Sequence, residues 1–192
     1  MGLIIMDNQN LIQYILDIEW DMFSRVQSAS PASCQNSPDT FRKIRASIYD
    51  AWTKEMLESY LNDLKIAQER GRNLLTEKYA RMDNLIPPLK SHPLMDHIVE
   101  IETTWQEEIR NKYPAIYYHT CRSTDPSGDG SNFSVYLRSE LETYSDQTIQ
   151  LYYKNVKTAA DKGENLALLM LRRMVTEGGY RDLDHAETYL SR

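Results

Sequence analysis

An all-α single domain, a helical bundle built from two sequence-related halves around a pseudo-twofold seam, is the fold this sequence predicts, on three observations. Apolar residues recur at three- and four-residue spacing through every long segment, as in helices with one buried stripe. No segment alternates apolar and polar residues with period two over a convincing length. The chain also repeats itself: Phe41 to Met82 aligns with Phe133 to Met174 without a gap, with ten identities in 42 positions. These are Phe41/Phe133, Ser47/Ser139, Tyr60/Tyr152, Lys65/Lys157, Ala67/Ala159, Gly71/Gly163, Asn73/Asn165, Leu74/Leu166, Arg81/Arg173 and Met82/Met174, and Trp52 falls opposite Tyr144. A second match, at a slightly different offset, pairs Leu11, Ile15, Ile18 and Glu19 with Leu94, Ile98, Ile101 and Glu102. Two copies that each present one sticky face bury it against each other, which puts the seam and its polar residues at the centre.

The elements follow in order. Leu11, Ile15, Ile18 and Met22, with Ile12, Phe23 and Val26 alongside, predict an amphipathic helix over Asn10 to Gln27. After a polar stretch, Ser28 to Asn36, Ser37-Pro38-Asp39 reads as an N-cap, a proline at the first helical position and an acid in the first turn, opening a helix to about Arg70. Unbroken, that helix would run roughly 45 Å at 1.5 Å per residue, so a bend or break is expected near Lys54. Gly71 supplies the left-handed residue that ends it and Asn73 caps the next helix, Leu74 to Met82; Gly163 and Asn165 repeat the device. Leu85 to His92, with Pro87-Pro88, links the halves, and Pro93 starts a helix that Tyr113-Pro114 ends. His119 to Asn132 is the counterpart of the loop around Cys34. Helices at about Phe133 to Lys162 and Glu164 to Glu177 follow and, after Gly178-Gly179, a short terminal one. Half one thus spans about 8–84, the linker 85–92, half two 93–177 and the terminal helix 182–191, within one domain of 1–192.

At 192 residues the chain can bury one good core, whereas each half alone would leave its seam exposed. A net charge of −6, with basic residues interleaved among acids, leaves no basic stripe for a phosphate backbone, so nucleic acid is not an expected partner. The apolar start, Met1 to Met6, stops at Asp7 without a basic leader, and Met6 stands where a myristoylation motif needs Ser or Thr. No apolar run reaches the roughly 18 residues of a membrane span, so no membrane association is expected. Two cysteines, Cys34 and Cys121, make no disulfide framework, and a cytoplasmic setting is expected.

Charged residues on apolar stripes mark the candidate site. Glu19 lies among Ile12, Ile15, Phe23 and Val26, and Glu102 among Ile98, Ile101 and Trp105. A carboxylate drawn into an apolar face needs a partner or a raised pKa, so the pair reads either as acid and base across the seam or as structural partners of a buried Arg or Tyr. Arg81 and Arg173 are the natural partners, able to fork onto a carboxylate or phosphate of a substrate or to cap a helix end. Trp52, Tyr60, Tyr144 and Tyr152 form an aromatic set that lines a cavity or fills the core. Cys34 and Cys121 sit in corresponding loops, where a neighbouring base or helix N-terminus would make a thiol a nucleophile; Arg122 is the adjacent cation. The Glu-x-x-His pairs of di-metal bundles are missing: His97 precedes Glu100 by three, and His92, His119 and His185 follow no glutamate at that spacing. A metal would therefore need a carboxylate-rich site, which is not favoured. With no P-loop, dinucleotide fingerprint or nucleophile elbow, no nucleotide cofactor is predicted and the cofactor is left open.

Several strings resemble a known family: Glu19-Trp20-Asp21-Met22-Phe23, Ala32-Ser33-Cys34-Gln35, Glu58-Ser59-Tyr60-Leu61, and the long Gly71-Arg72-Asn73-Leu74-Leu75-Thr76-Glu77-Lys78-Tyr79-Ala80-Arg81-Met82. Tyr136-Leu137-Arg138-Ser139-Glu140-Leu141-Glu142-Thr143-Tyr144-Ser145 looks like the second signature. Together they resemble the microbial domain-of-unknown-function family 4125 over nearly the whole chain. The resemblance implies membership without an activity, and it places the Cys34 loop within the signature.

Two readings of function follow. In the first, a small polar or anionic metabolite is bound, or transformed without redox chemistry, in a pocket between the halves. Glu19, Glu102 and Cys34 are its catalytic candidates, and Trp52, Tyr60, Arg72, Lys78, Arg81, Tyr144, Tyr152 and Arg173 its ligand-binding ones. Arg72, Glu77, Lys78 and Tyr79 have Glu164, Leu169, Met170 and Leu171 as repeat mates, so the site is expected to be asymmetric and drawn mainly from half one. In the second, the same residues are structural in a helical interaction module that self-associates as a homodimer through a face with Ile48, Met56, Leu57, Leu61 and Leu64.

Overall fold

The computed structural model describes residues 7–27, 35, 37–126 and 132–192. Among them are ten helices and no strand, and the all-α prediction holds. The first half carries α1 (Asn8–Ser24), α2 (Pro38–Tyr49), α3 (Lys54–Glu69) and α4 (Leu74–Met82). The second carries α5 (Pro93–Lys112), α6 (Pro114–Thr120), α7 (Phe133–Leu141), α8 (Asp146–Asp161) and α9 (Leu166–Glu177), before α10 (Leu183–Leu190). No helix among the described residues is long and apolar enough to cross a membrane.

The expected break near Lys54 separates α2 from α3, where the Thr53 hydroxyl accepts the Met56 N–H at 3.3 Å. A second break, which the sequence reading spanned with one helix over Phe133 to Lys162, separates α7 from α8, where Ser145 accepts the Thr148 N–H at 3.2 Å. A hydroxyl at a point where the chain can turn offers backbone donors an alternative to the continuing helix. Both breaks carry their preceding aromatic, Trp52 and Tyr144, into the core. Helix α6 is an addition to the prediction. Pro114 ends α5 and also starts α6, whose first N–H groups at Ala115 and Ile116 are held at 2.8 and 2.9 Å by the Glu187 carboxylate of α10.

One cluster of buried side chains runs through both halves, from Ile15 and Met22 of α1 through Met56 and Leu64 of α3 to Ile98 of α5 and Ile149 of α8. Repeat-related positions make matching contacts. Gly71 and Gly163 have φ of 65° and 71°, letting Arg72 and Glu164 donate back to the Ala67 and Ala159 carbonyls at 2.8 and 2.9 Å. Asn73 donates to the Met22 carbonyl at 2.8 Å, and Asn165 to that of Trp105 at 3.2 Å. Between halves the contacts are reciprocal. Asp63 of α3 accepts from the Ser145 N–H at 2.9 Å and the Thr148 hydroxyl at 2.6 Å, while its mate Asn155 of α8 donates to the Ala51 carbonyl at 3.0 Å. Each half therefore secures the helix break of the other.

Candidate functional site

Glu19, fully buried on α1, meets a cation that sequence reasoning did not single out. Arg45 of α2 grips it with Nε at 3.0 Å and Nη2 at 2.5 Å, and the Tyr49 and Tyr60 hydroxyls donate to the same carboxylate at 2.6 and 2.8 Å. Arg45 Nη2 also lies 2.7 Å from Glu140 of α7. Glu140 in turn accepts from Lys78 Nζ at 2.8 Å and from the Tyr144 hydroxyl at 3.1 Å. Two carboxylates and two cations thus alternate through the interior, the arrangement that buried charge requires. Burial alone would raise the Glu140 carboxyl, but Arg45 and Lys78 outweigh it and hold it well below the usual carboxylate range. Burial works against the charge of Lys78 and Arg45 as well, yet the carboxylates raise both above their ordinary values.

Trp52 organises the aromatic set. Its indole has Tyr49, Tyr60, Tyr144 and Tyr152 around it, edge-on, with ring centroids 4.9, 5.6, 6.2 and 5.5 Å away. Each of these tyrosines gives its hydroxyl to a carboxylate: Tyr49 and Tyr60 to Glu19, Tyr144 to Glu140 and Tyr152 to Glu102. Burial pushes all four phenols well above their ordinary values, so they serve as neutral donors. Trp52, Tyr60, Tyr144 and Tyr152 are brought together as solid core, and none of them lines the cleft described below.

Glu102 is differently placed. It is partly buried on α5 and takes the Tyr152 hydroxyl at 2.5 Å, with no ion pair among the described residues. Where half one has Arg45 and Tyr49, half two has Leu137 and Leu141. Burial raises the Glu102 carboxyl to about 7, the Tyr152 hydrogen bond opposing and the Glu140 charge adding to the rise.

Beside the network a cleft of about 70 Å³ opens between α1, α2, α4 and α7. Phe23, Phe41, Ile44, Leu75, Tyr79 and Tyr136 form its sides, and Arg45 and Lys78 are its charged lining. Phe23 and Phe41 stack at 4.8 Å, and Lys78 Nζ sits 3.7 Å from the Tyr136 ring centre, with the Arg122 guanidinium 4.5 Å from that ring. Among the described residues Tyr136 is the one lining residue from half two. A larger groove of about 660 Å³ lies apart from the network, around Lys112, Asn165 and Arg172.

The remaining candidates sit elsewhere. Arg81 and Arg173 are not the partners of Glu19 and Glu102. Arg81 forks onto Glu142 at 2.6 and 3.1 Å, and Arg173 pairs with Asp50, the repeat mate of Glu142, and with Glu177 at 2.7 Å. Each acid is the C-cap of the helix before a break, Glu142 of α7 and Asp50 of α2. Glu142 also accepts the Leu89 N–H at 3.0 Å, which ties the linker to the same pair. Arg72 is exposed and pairs with Glu77 at 2.6 Å, away from the cleft. Cys34 lies outside the described residues. Burial pushes the Cys121 thiol up, so it is not activated as a nucleophile. Among the described residues no group of three or more His, Cys, Asp and Glu is placed to hold a metal ion.

Arg45 and Glu140 are the residues sequence reasoning missed, and their signal was present. Arg45 stands between Phe41 and Tyr49 at spacings of four, and Glu140 continues the stripe of Phe133 and Leu137. The test that found Glu19, a charge on an apolar stripe, finds both.

The chain matches no curated protein and no solved structure. Residues 9–188 match the family described as "Protein of unknown function (DUF4125)", and the chain belongs to that family.

Proposed function

We propose that this protein binds a small organic anion, whose charged head enters the cleft between α1, α2, α4 and α7 and whose flat apolar body rests on the aromatic sides. One observation carries the reading: Arg45 and Lys78 line the cleft, whereas the carboxylates that neutralise them, Glu19 and Glu140, do not. An entering group therefore meets two fixed cations first, with the opposing charge one layer behind, in a low-dielectric setting where the difference in distance counts. Among the described residues Arg45 Nη1 donates no hydrogen bond, and Lys78 has N–H capacity beyond its bond to Glu140. A cleft of about 70 Å³ has room for a carboxylate or similar head while the body stays at the mouth. The chemistry such donors offer is non-redox, the stabilisation of negative charge that is present or developing on a bound metabolite. The setting we propose is cytoplasmic, in keeping with two cysteines and no disulfide framework.

Calorimetric titration with benzoate, phenyl phosphate and uncharged benzamide at pH 7 tests the reading. The anions are expected to bind at least about tenfold more tightly than benzamide, a difference of roughly 1.4 kcal/mol. Lys78→Met, which installs the residue half two carries at that position, is expected to remove the preference. Equal affinity for benzoate and benzamide, or an unchanged preference in Lys78→Met, refutes it.

A further inference from the structure

The duplicated half holds a second carboxylate that the anion cleft does not use. Glu102 keeps partial exposure on α5, and Tyr152 occupies one of its oxygens. One turn further along, Gln106 is 5% exposed and its Oε1 is a buried acceptor without a hydrogen-bond partner among the described residues. Residues four apart on a helix are neighbours, and helical side chains lean toward the N-terminus, which directs Gln106 over the turn that carries Glu102. A buried acceptor left unpaired costs about 1–3 kcal/mol, so this carbonyl calls for a donor. Half one shows what kind of donor completes such a carboxylate. There Glu19 receives the guanidinium of Arg45, and half two has Leu137 at the corresponding position.

We propose that α5 carries a second ligand site, in which a primary ammonium group binds between Glu102 and Gln106 and supplies the cation that Arg45 supplies to Glu19. Its three N–H donors suit the free Glu102 oxygen and the orphaned Gln106 carbonyl, and the partial exposure of Glu102 gives it a way in. The inference stands on residues separate from those of the anion cleft, so either can fail alone. The titratable groups that act on Glu102 are Tyr152 from α8, which donates to it, and Glu140 from α7, which adds like charge. Because Glu102 holds its proton up to about pH 7, a cation must displace that proton, and binding strengthens as pH rises toward 7 and levels off above it.

The test follows the Glu102 carboxyl titration by ¹³C NMR on the full chain, in methylammonium, ammonium or tetramethylammonium chloride at equal ionic strength. Methylammonium is expected to lower the Glu102 midpoint, by about one pH unit at ten times its dissociation constant, and tetramethylammonium, which has no N–H, to leave it in place. Gln106→Leu is expected to weaken the methylammonium effect at least tenfold; Gln106→Asn, which withdraws the carbonyl by one carbon, serves if the leucine variant does not fold. Ammonium acting as strongly as methylammonium identifies the free ion as ligand, and a stronger methylammonium effect identifies the head of an alkylamine. The site is refuted if neither cation moves the midpoint further than tetramethylammonium, or if the Gln106 variants respond like the parent protein.

Discussion

Glu19 and Glu102, which the sequence repeat pairs, live under different rules. Glu19 is buried completely and saturated: a bidentate arginine and two tyrosines converge on it. Glu102 retains one tyrosine, and the apolar Leu137 and Leu141 stand where the arginine and its tyrosine would be. The tyrosine is the common element, since Tyr60 and Tyr152 are themselves repeat mates. The difference teaches that what distinguishes the halves is the cation rather than the acid. With Arg45 present, the carboxylate is a structural hub, held by the guanidinium and two phenol hydroxyls deep inside. Without it, the same position becomes a proton-holding group near neutral pH.

The largest effect expected is from making half one resemble half two. Arg45→Leu leaves Glu19 without a cation and Glu140 with Lys78 alone, and breaking a buried ion pair from one side costs about 3–5 kcal/mol. Denaturant unfolding at pH 7 should show that loss, with Glu19→Gln in the same chain restoring part of it by removing the stranded charge. A cost under about 1 kcal/mol would mean that the network is not what stabilises the interior.

Much of this contrast was legible in the sequence, and the parts that were not share a cause. Helical periodicity marked the faces of α1, α3 and α5, and the Gly-x-Asn turns marked both α4 and α9, because those signals are local. The charged stripe position exposed Glu19 and Glu102 for the same reason. The partner of Glu19 is a different matter: Arg45 is 26 residues away, and the repeat pointed to Arg81 and Arg173 as the natural partners. Only the packing of α2 on α1 decides between them. The break between α7 and α8 was hidden because Ser145 is an acceptable helix residue until Asp63, 82 residues earlier, holds its N–H. Helix α6 escaped notice because its N-terminus is satisfied from α10, some 70 residues on.

The next effect is one of pH. Glu102 has its carboxyl raised from the ordinary 4.5 to about 7, so the folded state binds its proton more tightly than the unfolded chain. The contribution is complete below pH 4.5, declines as pH rises from there to 7, and is lost above, on the order of 3 kcal/mol over the window. Glu140 has the opposite sign. Its carboxyl is lowered, so its contribution is present above the ordinary value and disappears only in strong acid. The displaced surface carboxylates Asp96, Asp125, Asp146 and Asp182 are lowered too and act below the window. The slope between pH 4.5 and 7 therefore belongs to Glu102, and Glu102→Gln should flatten it in urea melts taken at half-unit steps. A slope that survives the substitution would assign the dependence elsewhere.

Lys78→Met should cost less than Arg45→Leu, about 1.5–3 kcal/mol, because Glu140 keeps Arg45 and Tyr144 when the lysine is removed. Thermal unfolding of the two variants side by side measures the ranking directly. An equal or greater loss in Lys78→Met would make Lys78, and not Arg45, the centre of the network.

The smallest effect is the one that makes half two resemble half one at the next turn of α5. Gln106 is the repeat mate of Phe23, which stacks on Phe41 in the aromatic side of the cleft. Half two has Phe133 opposite Phe41 but a glutamine in place of the stacking partner, and its carbonyl is buried without a donor among the described residues. Replacing an orphaned amide by a hydrocarbon of similar shape removes a desolvation cost without opening a cavity. Gln106→Leu should therefore raise stability by about 1 kcal/mol in the absence of amines, read from the denaturant midpoint at constant slope. A destabilisation would instead show that the carbonyl is paired in solution, and would make Gln106, like Arg45 in the other half, a partner that the interior depends on.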